Sequence, residues 1–561
     1  MLAFVAAIPI VVVIVLMIGF RKKSGPSLMA AWAVAVVLSF FFWDMNVNRA
    51  AALTGFGFLS AINVMLIIWC AIFLLNAMIK IKFVEAIGNG FNGISNDRRI
   101  QIIIIAYLFG AFVEGAAGFG TPGALAAPLL VGLGVPVFFA ALSSLMANYS
   151  PVLFGAVGIP PITGFASIRP VFVEYAGGGA AGEVFADQVF RQLSLYAGFT
   201  NIIVGSLVPF LIIAAIVYRD GRGRGLKDAF NILPLALWCG LLFTVPVPFI
   251  FMITNSAEIP TLVSSLIALP LFIITVKKGF LVPKDVYRFV DDPIVELTAE
   301  TKSDIPLSLA WSPYVIIAGL LAITRLPQIG INRFLTGGDA FGVIMIPRIF
   351  GLELSFSLPL LNNPGLLPFL PVTLIYLFAR KVSGEDIKAI FKKTNKQLQN
   401  AALALFFGVA FVQILRFTLP APPGGFTAHP DMLAPMATEI ARGLARLFGQ
   451  AYPLVSPLIG ALGAFVSGSH TVSNLMFYGL QLDTAFFLGI PAIVIMLGQT
   501  SGASMGNMVA IHNAVSISAT TGATGSEGKM ISAAFVPFIL CCLLYSAIMF
   551  ALIGLGFNFI I

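Results

Sequence analysis

Apolar residues run along this chain in long stretches separated by short polar connections, at about 2–20, 27–44, 51–79, 101–134, 136–168, 196–218, 230–253, 258–276, 309–325, 364–379, 400–418, 453–480, 484–524 and 532–558. Most match the ~20 residues with which an α-helix crosses the ~30 Å hydrocarbon core of a bilayer. A transmembrane barrel would instead show ~10-residue segments of alternating polarity. The pattern predicts an all-α polytopic membrane protein. It has about 12–16 spans, the range depending on which Gly- and Pro-interrupted segments cross the bilayer and which are re-entrant hairpins or discontinuous helices.

The first run has no basic residue ahead of it and Arg21-Lys22-Lys23 directly behind it, the reverse of a cleavable signal peptide. It reads as a retained first helix with its N-terminus outside. Assigning alternate loops to the cytoplasm then places 22 of the 32 Lys and Arg residues inside, as the positive-inside bias requires. Segments 84–96 and 385–399 are amphipathic and flanked by basic residues, so each is expected to lie along the cytoplasmic interface. Arg416, late in its run, is expected to snorkel to the outer interface.

Composition narrows the class. Of 561 residues, 59% are hydrophobic and 10% charged, against about 25% charged in soluble domains. The net charge of +8 comes without any basic stretch interleaved with stacking aromatics, so no nucleic-acid partner is expected. Cys70, Cys239, Cys541 and Cys542 all lie in apolar segments and fit neither a disulfide framework nor a metal site. No Walker lysine motif and no HExxH occurs, and no paired carboxylates of a catalytic kind lie in the apolar runs. Neither an enzyme nor an ATP-driven pump is therefore expected, and no cofactor. The polar stretches are too short for a soluble domain, leaving residues 1–561 as a single membrane domain whose solute moves passively or by ion coupling.

Two stretches concentrate small and polar residues beyond packing needs: GAFVEGAAGFGTP (110–122) and GAFVSGSHTVSN (463–474). Each is followed by an apolar run and a second polar break, Asn148-Tyr149-Ser150-Pro151 and Gln499-Thr500-Ser501-Gly502. By the loop count the first stretch runs outward and the second inward, as an inverted-topology repeat predicts. Repeat one covers roughly 51–276 with its core at 101–168, and repeat two roughly 364–558 with its core at 453–524. Such repeats hold substrate near the midplane at broken helices, whose free N–H groups and positive dipole ends face anions.

The same residues carry a family resemblance. EGAAGFGTP (114–122), PLLVGLGVP (128–136), SPVLFGAVGIP (150–160), GSHTVSNLMF (468–477) and GNMVAIHN (506–513) resemble the signature blocks of the L-lactate permease family. The resemblance implies a proton-coupled symporter of lactate, glycolate and related 2-hydroxy monocarboxylates in a prokaryotic inner (plasma) membrane. It also implies a scaffold part and a mobile, hairpin-bearing transport part. Where some members of the family have an acidic residue, this chain has His470.

A lactate site needs donors for the carboxylate, a donor and acceptor for the hydroxyl, and a small apolar wall. The two breaks offer backbone around Gly118, Gly120 and Thr121, the group Asn148, Tyr149 and Ser150, and the side chains of Ser467, Ser469, His470, Thr471, Ser473, Asn474, Gln499, Thr500 and Ser501, with Phe119 as a wall. Carrying an anion inward against an inside-negative potential costs about 2.3 kcal/mol per charge per 100 mV, so a cation must accompany it. An acid enclosed in a bilayer favours its neutral form, which makes Glu114 the first candidate for carrying the proton. His470 and His512 are further candidates, His512 with Asn507 and Asn513 as expected hydrogen-bond partners. Unwound backbone suits Na⁺ as well, so a sodium-coupled carboxylate transporter is the alternative, followed by an anion channel. The expected partners are the small monocarboxylate and the lipid bilayer; the sequence leaves the oligomeric state and the preferred 2-hydroxy acid open.

Overall fold

In a bilayer the backbone must bond to itself, and this chain does so almost entirely as helix. The computed structural model describes residues 2–557 apart from 21, 92, 119, 222–225, 291–303, 326–328, 332–334, 336–341, 353, 355, 420–432 and 524. Among the described residues the sheet is a single antiparallel pair, β1 (Val343–Ile346) and β2 (Phe356–Pro359), with Val343 opposite Pro359 and Ile346 opposite Phe356.

One group of helices is long. α1 (Leu2–Ile14), α2 (Ser24–Phe42) and α3 (Val47–Lys80) pack with a partner from late in the chain, because both α2 and α3 lie against α12 (Gly384–Phe417). Asn46 caps α3 by accepting from the Arg49 N–H, and Ser383 caps α12 by accepting from the Asp386 N–H. An ion pair of 2.6 Å joins Lys80 at the end of α3 to Asp386 at the start of α12.

A second group is interrupted. α4 (Arg98–Ala116) is buried over its whole length and is followed by α5 (Thr121–Gly132), α6 (Val137–Ala147) and α7 (Gly155–Ala166). Helices α8 (Gly179–Gly205), α9 (Lys227–Thr244), α10 (Pro260–Lys277) and α11 (Leu307–Arg325) come next. After α12 and the amphipathic α13 (Met436–Phe448) the interrupted order returns: α14 (Tyr452–Ser467), α15 (His470–Leu488), α16 (Ala492–Gly506) and α17 (Ile511–Thr521), closed by α18 (Glu527–Gly554). Helix, break, helix, turn, helix, break, helix therefore occurs twice. The two series interlock, with α5 against α17 and α7 against α15.

Among the described residues ten helices are long and apolar enough to cross a membrane, or up to eleven if the pair 137–147 and 151–166, bent by 50°, forms one span. This is fewer than the 12–16 expected from apolar runs. Several runs fold instead as shorter pieces such as Leu2–Met17, Thr121–Gly132 and Gly365–Ala379. Phe41, Phe378 and Val536, together with many other large apolar side chains, are exposed, a surface that suits lipid rather than water. The four cysteines are free and buried, in keeping with packing roles.

Two local expectations change. Segment 385–399 does not lie along an interface; it is the first part of the unbroken helix α12. Residues 83–89 form a two-turn helix buried on most sides, with Gly88 against Leu129 and Gly90 against Leu307. In each case tertiary partners absorb the apolar face that the pattern assigned to lipid.

α16 sets the tightest packing. All of its residues are buried, and Gly498, Gly502 and Gly506 fall at four-residue intervals along one stripe. A Cβ on Gly502 would run into the Pro457 carbonyl oxygen, and one on Gly506 into that of Ala461. From α14, Gly460 fits against the Gln499 carbonyl in the same way. Small residues at this spacing let two backbones touch. Gly502→Ala should therefore destabilise the protein by at least the ~1–3 kcal/mol of an overpacked core. Gly528→Ala, where nothing lies within 4 Å, should stay within about 0.5 kcal/mol; thermal unfolding in detergent micelles compares the two.

Candidate functional site

Three breaks in helical backbone meet at one point. The first, between α4 and α5, turns on Gly118 (φ +61°) and Gly120 (φ +77°), conformations that glycine adopts without steric cost. In the second, at the start of α7, Ala156 (φ +46°), Val157 (φ +56°) and Gly158 (φ +72°) are all left-handed. For a β-branched residue such as Val157 this is a strained state that the surroundings must enforce. The third lies between α14 and α15, at Gly468 (φ +68°) and Ser469. There Ser469 caps α15 by accepting from the Val472 N–H at 3.3 Å.

Between them is a small cavity of about 20 Å³, lined by Glu114, Gly120, Asn148, Val152, Ala156, Pro160, Gly468, Ser469, His470, Thr471 and Asn507. That is room for about one water. The N-termini of α5 and α15 both border it, so the positive ends of two helices face the same small space. Glu114 is 2% exposed, and its carboxyl sits where any side chain at Gly155 would be. Its Oε2 and the Asn148 Oδ1 have no hydrogen-bond partner among the described residues. Buried polar atoms are nearly always paired; these two of the unpaired ones belong to residues that line the cavity.

Below the cavity runs a polar network. His470 Nδ1 lies 3.1 Å from the Val152 carbonyl, and Nε2 lies 3.0 Å from the Thr500 hydroxyl. A carbonyl only accepts, so Nδ1 carries the proton, and the Thr500 hydroxyl donates to Nε2 when the ring is neutral. Asn474 donates to Thr500 and to the Pro160 carbonyl, each at 3.3 Å. Gln499 donates to Ser473 Oγ at 3.1 Å and accepts from Gln481 at 3.1 Å. His470 and Asn474 thus tie α15 to the strained segment of the first half.

Glu114, Gly120, Asn148, Ser469, His470 and Thr471 share the cavity, while Asn474 and Thr500 stand one hydrogen bond behind it. The remaining candidates lie elsewhere. The Gly118 carbonyl accepts from the Thr121 hydroxyl at 2.6 Å. Ser150 is engaged with Asn201 of α8, and the buried Tyr149 and Ser501 hydroxyls have no partner among the described residues. Ser467 and Ser473 donate to the carbonyls of Gly463 and Gly460. His512 is exposed and lies beside Gly468. Its expected partners bond each other, Asn513 donating to Asn507 at 3.2 Å. Phe119 lies outside the described residues.

Two features not expected at the site also matter. Asn507, expected only as a partner of His512, lines the cavity, and the left-handed turn at 156–158 lies inside a sequence block already noted, where Gly155, Gly158 and Pro160 were the available signal. Arg416 does not snorkel. It is buried, 3.9 Å from Asp483 of α15, whose Oδ2 accepts from Thr438 at 2.7 Å. Gly479 leaves the space that its guanidinium fills. Removing one member of a buried pair strands the other charge. Asp483→Leu should cost about 3–5 kcal/mol, and the Arg416→Leu/Asp483→Leu double variant should recover most of it, as read from unfolding midpoints.

With this geometry in place, known proteins can be compared. A family model described as L-lactate permease matches residues 2–556. A putative L-lactate permease of Haemophilus influenzae is 28% identical, with 96% of each chain covered. The L-lactate permease of Bacillus subtilis is 27% identical, covering 91% of this chain and 93% of its own. The glycolate permease GlcA of Escherichia coli is also 27% identical, covering 94% and 91%. Among solved structures, the YdaH transporter of Alcanivorax borkumensis is similar over 76% of this chain and 90% of its own, at 14% identity and a TM-score of 0.29, too distant to bear on the fold.

Proposed function

The chain belongs to the L-lactate permease family, a family of transporters, and from that premise we propose that it carries lactate, glycolate and similar 2-hydroxy monocarboxylates across the plasma membrane in symport with protons. The observation that carries the reading is the small cavity where the N-termini of α5 and α15 border the buried Glu114 carboxyl. Helix N-termini with hydroxyl and amide neighbours bind an anion without a fixed counter-charge, which allows release. At about 20 Å³ the cavity is smaller than any such substrate, so it represents a closed state that opens during transport. The matching order of elements around it supports a repeat architecture, and inversion of one repeat relative to the other is part of the proposal.

Glu114 takes the coupling role in this scheme. It is an enclosed acid with an unpartnered oxygen, next to a strained turn that moves if α7 moves. Protonated, it presents a neutral wall to the cavity; ionised, it repels the carboxylate. Substrate and proton are thereby bound together or not at all. His470, held at both ring nitrogens, positions the N-terminus of α15.

In proteoliposomes, imposed ΔpH should drive lactate accumulation and imposed ΔpNa should not; the opposite result would establish the sodium reading. Conductance far above carrier turnover would establish a channel. Glu114→Gln should abolish accumulation driven by ΔpH while retaining exchange of labelled for unlabelled lactate, and normal accumulation would remove Glu114 from coupling. Asn474→Ala should raise the half-saturation constant by roughly tenfold or more, the scale of a lost hydrogen bond in a charged site. An unchanged constant would place the substrate elsewhere.

A further inference from the structure

A second, much larger cavity of about 390 Å³ opens between the long helices and the interrupted ones, beneath β2. Ser60 and Asn63 of α3, Gln413 of α12 and Thr163 of α7 line it, with Ile159 and Leu475 among its apolar residues. Its volume falls in the range of small-molecule pockets, whereas the inner cavity holds about one water. The two are neighbours along the same elements. Ile159 borders the large cavity and the adjacent Pro160 the small one; on α15, Leu475 borders the large cavity and Thr471, one turn away, the small one.

The polar lining leaves donors and acceptors facing the cavity. Gln413 is 5% exposed and Thr163 9% exposed, and neither side chain has a hydrogen-bond partner among the described residues. Their polar atoms are not among the fully buried unpaired ones; they face the cavity, where water or a ligand meets them. Asn63 is held by Asn363, which donates to its Oδ1 at 2.8 Å; the Asn63 amide therefore keeps its own N–H donors available. Across the cavity Val64, Ile159 and Leu475 offer a surface for a methyl group.

We propose that this vestibule is a second binding site, in which Gln413, Thr163 and Asn63 hold a small 2-hydroxy monocarboxylate through neutral donors before it passes between α7 and α15 to the inner cavity. The proposal rests on the transport reading above. Glu258, also on the wall, is engaged within the protein. One acid beside neutral donors keeps anion binding weak, as a transit site requires. The size and apolar surface of the vestibule fit an organic solute better than a bare cation, which calls for close coordination by oxygen at 2–3 Å.

Strand β2 and the residues after it, to Pro364, close the vestibule from one side, so the test is sided. Gln413→Leu and Thr163→Val, both close to isosteric, are reconstituted and labelled lactate transport is measured separately from each face. The expected result is a half-saturation constant raised about tenfold from the face bearing the β-hairpin and unchanged from the other. An equal change from both faces, or no change from either, would overturn the second site. Failure of the unaltered protein to move lactate would instead sink the transport reading. As a measurement that does not depend on those variants, Ser60→Cys is alkylated in an Asn474→Ala background, the four native cysteines being buried. Saturating lactate should slow the reaction severalfold. An unchanged rate, or protection by Na⁺ alone, would remove the monocarboxylate from the vestibule.

Discussion

Helix breaks at membrane depth can exist only where protein covers the opened backbone, because lipid offers no hydrogen bonds. The rest of this structure answers that constraint. The breaks at Gly118 and Gly120, at 155–158 and at 468–469 are covered by α4, buried along its whole length, and by α16, buried at every residue. α16 reaches that position because Gly498, Gly502 and Gly506 let its backbone lie on α14. The close approach of two helices is what allows three others to be broken.

Enclosure has an electrostatic consequence. With room for about one water, the N-terminal dipoles of α5 and α15 and the Glu114 carboxyl act on each other and on any anion at low effective dielectric, where such terms are largest. The side chains that tune the site are mostly committed to holding backbone. His470 spans from the Val152 carbonyl to Thr500, and Asn474 reaches the Pro160 carbonyl. They connect α15 to the backbone on either side of the left-handed turn at 156–158, so a shift in one interrupted series is felt in the other. The Arg416–Asp483 pair joins α15 in turn to the long helix α12.

The fold class and the helix breaks that border the cavity were legible in the sequence because both follow from local pattern. Apolar length is additive along the chain, and Gly, Pro and small polar residues in an apolar run mark broken backbone wherever they fall. GAFVEGAAGFGTP and GAFVSGSHTVSN therefore pointed to the elements that meet at the cavity. Individual side chains were less legible. Ser150, Ser467 and Ser473 look as well suited to an anion as Ser469 does, yet each is bound to another part of the protein. A hydroxyl's direction depends on which neighbour is nearest, and that neighbour belongs to another helix.

Charge shows the same division. Loop lysines and arginines encode orientation without knowledge of packing, since each meets only water and headgroups. Arg416 could be judged only from its depth in its own run, which suggested an interface; its partner Asp483 is 67 residues further on, brought near by the packing of α12 against α15. The sequence by itself determined that this chain is a helical membrane protein with two interrupted segments and one enclosed acid between them. Tertiary structure decided that the interrupted segments meet, that Gln413 and Thr163 line a second cavity, and which hydroxyls remain for a ligand. Hydrophobic length and backbone preference are properties of a residue and its near neighbours, whereas a cavity is a property of the surfaces that face it.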